Sequence, residues 1–118
     1  MTTIEQVAEA ALKGESLLLR SLTQDLLREH PSLSEYPKPE TNDSRMLAAA
    51  ASLLELLALR SRQTPPSWTK NVGALPEPIY LLKAAASMKR LRILCETEAP
   101  EPLRKRGFYA PPNFLEFA

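Results

Sequence analysis

The distribution of apolar and polar positions is most lopsided between Asn42 and Arg62, NDSRMLAAAASLLELLALRSR. At about 100° per residue, Arg45, Ser52, Glu55 and Arg62 fall in one arc of roughly 100°. Met46, Leu47, Ala50, Leu53, Leu54, Leu56, Leu57 and Leu59 occupy the rest. A helix apolar on so many sides has to be covered on several of them. The segment is therefore predicted to be the central post of a small helical domain, with Asn42 or Asp43 as its cap.

The flanking segments carry narrower stripes. Thr3 and Gln6 have the spacing of a capping box, which predicts a helix from near Ile4 with Ile4, Val7, Ala8, Ala11 and Leu12 on one face. Gly14 after Lys13 predicts a stop or kink. A second helix is expected over 15–29, burying Leu18, Leu19, Leu22, Leu26 and Leu27, with Arg20, Gln24, Asp25 and Arg28 wet. His30-Pro31 ends it, because the residue before proline avoids the α region. The proline-rich linker 31–41 is expected to run extended over the surface, anchored by Leu33 and Tyr36.

Thr64-Pro65-Pro66 stops the central helix, and a short turn is predicted around Trp68. A helix is expected to resume near Ile79 after Pro78, with Tyr80, Leu81 and Leu82 as its apolar content and Ala84, Ala85 and Ala86 allowing close approach. Met88–Glu96 either continues it or forms a separate helix, with Met88, Leu91, Leu94 and Cys95 inward. Pro100-Glu101-Pro102 predicts a last helical turn that Gly107 ends, followed by an aromatic tail over 108–118. No alternating β-branched run is present, so no sheet is predicted. The expected fold is all-α: one domain over 1–118, a compact bundle of about five helices around a central apolar helix.

Composition changes this picture little. The apolar share of 44% and charged share of 25% are those of an ordinary globular protein. Net charge is +1, split as −4 over residues 1–59 and +5 over residues 60–118. There is thus no global field for nucleic acid or anionic lipid, only a basic bias in the C-terminal half. Cys95 is the single cysteine, which fits a reducing compartment. The opening MTTIEQVAEA lacks a basic-then-apolar order, and no apolar run reaches the roughly 18 residues of a membrane span. A cytoplasmic location with no membrane association is the expectation.

Candidate chemistry is sparse. His30 is the only histidine and has no partner at metal-ligand spacing; before Pro31 it reads as a helix-terminal cation. Cys95 stands among Leu91, Ile93 and Leu94, as a small buried apolar residue does. The carboxylates Glu5 with Glu9, and Glu96, Glu98 with Glu101, read as solvated faces rather than acid–base pairs. Three glycines make no phosphate-cradling loop. The chain is accordingly read as no enzyme, with no catalytic residue, cofactor or metal ligand.

Two segments suggest binding. Trp68 is either a core plug at a helix end or an exposed anchor for a partner. Arg104-Lys105-Arg106, with Lys89, Arg90 and Arg92, either caps helix ends or forms a basic patch beside the stacking rings of Phe108 and Tyr109. The tail holds four of the six Phe and Tyr residues. Trp68, Arg104, Arg106, Phe108, Tyr109 and Phe117 are the candidate partner-binding residues. They imply a protein partner, with nucleic acid as the alternative, and a monomer or homodimer.

Pro65-Pro66-x-Trp68, Leu75-Pro76-Glu77-Pro78, Pro100-Glu101-Pro102-Leu103-Arg104, Arg106-Gly107 and the Pro-Asn-Phe-Leu tail carry a resemblance, together with Leu12-Lys13-Gly14-Glu15. The chain resembles small all-helical bacterial proteins of unassigned function, often encoded beside nucleotidyltransferase-type genes. The resemblance implies a partner role of antitoxin-like kind. Its motifs are packing and turn residues, and it transfers no catalytic or binding residue.

Overall fold

In the computed structural model, which describes residues 2–82, 85 and 87–116, the chain is built from helices that end where local chemistry ends them. Helix α1, Ile4–Lys13, opens on the complete Thr3–Gln6 capping box and closes on Gly14 at φ 71°, a left-handed conformation that glycine adopts without a Cβ penalty. Helix α2, Ser16–Glu29, stops at His30. A 3-10 turn, Leu33–Glu35, follows and plants Leu33 and Tyr36 in the core. Helix α3, Ser44–Arg60, is capped by the Asp43 carboxylate, which accepts from the N–H groups of Arg45 and Met46. A second 3-10 turn, Ser67–Asn71, carries Trp68. Helices α4, Lys89–Glu98, and α5, Glu101–Arg104, complete the helical part.

Helix α3 is the central element. Every residue from Ala48 to Ala58 is buried, enclosed by α1, α5 and both 3-10 turns. The Cα radius of gyration, 13.2 Å, is close to the roughly 13 Å of a folded chain of this size. Among the described residues no helix is long and apolar enough to cross a membrane.

Five expectations need correction. The fold is mostly helical but contains a sheet: β1, Ile79–Tyr80, pairs in parallel with β2, Phe108–Tyr109, in the register Ile79 to Phe108 and Tyr80 to Tyr109. Two-residue strands have no period to read, and their pairing is long-range. Pro76 and Pro78 flank a bend at 76–77 and open no helix, and the Ile79 and Leu81 N–H groups donate to the Gly107 and Tyr109 carbonyls. Helix therefore does not resume at Ile79; it begins at Lys89. Of the expected inward set on α4 only Cys95 is buried, and Met88 is exposed. The expected approach through Ala84 and Ala86 lies outside the described residues, while Ala85 is buried.

On α2 the buried line is Leu19, Thr23 and Leu26, so Leu18 turns out to solvent beside Leu17. On α3 the polar arc is not a wet face. Ser52 and Glu55 are enclosed, whereas Leu59 is 64% exposed.

Candidate functional site

Glu55 is a single carboxylate within eleven consecutive buried residues, and an unpaired charge in that position costs several kcal/mol. The Arg106 guanidinium answers it. Nη1 donates to Oε1 at 2.6 Å and Nη2 to Oε2 at 3.1 Å, the two-pronged geometry that favours arginine over lysine. The remaining donors reach main-chain carbonyls: Nε to Val72 at 3.1 Å, Nη1 to Pro102 at 3.3 Å and Nη2 to Thr69 at 2.7 Å. All five N–H groups of the fork are thereby used. One side chain joins α3, the Trp68 turn, the segment after it and α5.

Burial alone raises the Glu55 carboxyl. The hydrogen bonds from Arg106 and Lys105 overcome that and bring it to about 2. Lys105 Nζ stands 2.8 Å from Glu55 Oε1 with its side chain 47% exposed, so it is the outer cation of the cluster.

This cluster forms one wall of a groove of about 440 Å³ between the C-terminal half of α3 and α5. Leu59 and Pro65 supply its open apolar surface, with the buried Pro102 beneath; Glu55, Lys70, Glu101 and Lys105 supply charge. A neighbouring depression shares Glu55, Lys70 and Lys105 and continues past Val72, Gly73 and Ala74. Lys70 is exposed and forms no ion pair among the described residues.

The sequence-predicted site residues do not assemble into one surface. Arg106 is 2% exposed and Phe108 is fully buried, so neither presents to a partner as expected. Arginine is drawn in by the buried carboxylate, and Phe108 by the pairing of β2 against β1. Trp68 is half-buried against the core and donates its indole N–H to the Tyr36 carbonyl at 2.8 Å. Arg104 is exposed, with Nη1 donating to the Thr97 carbonyl at 3.1 Å. Tyr109 is half-buried, its ring 5.5 Å from that of Tyr80. Phe117 lies outside the described residues.

Of the groove residues, Lys105 belongs to the basic run singled out in the sequence, whereas Leu59 and Lys70 carry no binding signal there. One signal does point there: a lone glutamate among leucines calls for a cation, and the Arg-Lys-Arg run offers three. Elsewhere, the His30 ring packs edge-on to Tyr36 with centroids 4.9 Å apart. Burial, helped by the Glu96 charge, raises the Cys95 thiol, which disfavours the nucleophilic thiolate. Among the described residues no three His, Cys, Asp or Glu side chains gather in a metal-binding arrangement.

No protein family, curated protein or solved structure matches this chain.

Proposed function

We propose that the chain is a non-enzymatic protein-interaction domain, an accessory partner of the antitoxin-like kind its resemblance implies. Leu59 carries this reading. It directly follows the buried run Ala48–Ala58 near the C-terminal end of α3, and it faces a groove with two prolines, two lysines and two glutamates on its walls. An apolar side chain left uncovered in a concave, charge-rimmed site is what an interface looks like before its partner arrives.

A nucleic-acid-binding accessory is the second reading. Lys89 and Arg90 support it, both exposed in the first turn of α4. Cations oppose the helix dipole there, and positions that defy local rules are commonly retained for function.

Recovery of bound partners from native extract, with and without nuclease, tests both. A protein retained by the wild type through nuclease treatment and lost by Leu59→Ser supports the interaction domain. Recovery that nuclease abolishes, and that Lys89→Glu with Arg90→Glu also abolishes, supports the second reading.

A further inference from the structure

We propose that the groove beside Leu59 receives a short protein segment in which an aspartate or glutamate stands next to an aliphatic residue. This rests on the interaction-domain reading and names the chemistry of the partner. The carboxylate meets Lys70 and Lys105, and the aliphatic side chain covers Leu59 and Pro65, above the buried Pro102.

Charge complementarity selects the acidic residue. Both oxygens of Glu55 are already engaged by the Arg106 fork. Lys105 shares Oε1 with it, so the carboxylate is served without the lysine, whose side chain is about half exposed. Lys70 brings a second ammonium group with no ion-pair partner among the described residues. Arg106 and Glu55 neutralise one another out of solvent, which leaves Lys70 and Lys105 against Glu101 around the groove, an excess of one cation. An incoming carboxylate pairs Lys70 outright and shares Lys105, whose bond to Glu55 is the outer and more exposed of that carboxylate's two ion pairs.

The apolar surface selects the aliphatic neighbour. Leu59 is 64% exposed, and proline rings offer carbon surface with no N–H to satisfy. The groove wall has no aromatic side chain on which a base could stack, which a single-stranded nucleic acid would require.

Panning a random dodecapeptide phage library against the purified protein tests the proposal. Enriched peptides, resynthesised with a fluorescein label, are then titrated by polarisation. Enriched sequences are expected to place Asp or Glu beside Leu, Ile, Val or Met. Lys70→Glu is expected to weaken their binding at least tenfold, as is Leu59→Ser, and 0.5 M salt is expected to weaken it further. Lys70→Glu and Leu59→Ser alter exposed side chains, and unchanged far-UV circular dichroism verifies their folds.

Enrichment of basic or purely apolar peptides overturns the proposal, and so does binding indifferent to Lys70→Glu. A labelled 20-mer oligonucleotide that binds through Lys70 and Lys105 overturns it in favour of nucleic acid. A dimer in sedimentation that Leu59→Ser dissolves overturns it in favour of a second copy. The broader reading fails separately. A native partner lost by Leu59→Ser but kept by Lys70→Glu leaves the interaction domain standing and removes the acidic segment. No nuclease-resistant partner at all removes the interaction domain itself.

Discussion

Glu55 Oε1 lies 2.6 Å from Arg106 Nη1 and 2.8 Å from Lys105 Nζ, so one carboxylate oxygen serves two cations of very different exposure. The arginine is enclosed and binds four partner residues; the lysine reaches in from solvent. Their deletions are therefore expected to differ. Arg106→Ala leaves Glu55 short of its main partner and takes the guanidinium donor from the Val72, Pro102 and Thr69 carbonyls, of which Thr69 keeps the Val72 N–H, at a cost of about 3–5 kcal/mol. Lys105→Ala is expected to cost less than about 1 kcal/mol, in the range of exposed pairs. Urea denaturation of both variants checks the contrast. Arg106→Lys is not expected to rescue, since an ammonium group cannot reproduce the fork.

Acid should weaken the protein through the same carboxylate. The folded pKa of Glu55 is about 2 against an ordinary 4.5. A depressed pKa means that the unfolded chain takes up the proton more readily. The stabilisation is then fully present above pH 4.5 and is lost as the pH falls through 2. The loss is expected to be on the order of 3 kcal/mol. Urea midpoints measured from pH 6 to pH 2 should fall, and Glu55→Gln should flatten that part of the profile.

Deleting residues 108–118 is expected to unfold the protein rather than trim a loose end. It removes Phe108, Ala110 and Leu115, all buried, and the whole of β2. It also removes the Phe114 and Pro112 carbonyls to which Arg60 donates. Phe108→Ala alone is expected to cost about 3–5 kcal/mol by thermal or chemical denaturation.

Helix α4 carries its charges against its dipole. Lys89, Arg90 and Arg92 stand in or beside the first turn, Glu96 and Glu98 in the last, and Met88 supplies no side-chain cap. Lys89→Glu is expected to stabilise the protein by about 0.3–1 kcal/mol at low salt, and less at 0.5 M. A destabilised variant would mean that Lys89 makes a compensating contact.

Thr23 Oγ1 and Ser52 Oγ are fully enclosed without a hydrogen-bond partner among the described residues. Thr23→Val and Ser52→Ala remove a buried polar atom that gains nothing from folding. Each is expected to raise stability by about 1 kcal/mol in the same denaturation assay.

What was legible in the sequence was local. The Thr3–Gln6 box, the Gly14 stop, the His30-Pro31 boundary and the Asp43 cap involve residues only a few positions apart. Each acts on main-chain groups whose needs are known in advance. The rest depended on distant partners. Glu55 reads as a wet residue until Arg106, 51 positions away, is brought to it. Leu18 and Leu19 are equivalent by composition, and only the packing of α2 decides which is buried. The β1–β2 pair joins dipeptides separated by helices α4 and α5, and each is too short to show a strand period of its own.

Parallel pairing of β1 with β2 has a further consequence for synthesis. The ribbon and the Glu55 clamp both await residues 106–109, and Arg106 follows Glu55 by 51 positions, so α3 emerges from the ribosome well before its cover does. A nascent chain stalled ahead of Arg106 would hold a buried-type helix with its carboxylate unmatched and its leucines open to chaperones. Protection from protease should then arrive in a single step, once residues 106–109 have emerged, and not in stages as the helices appear.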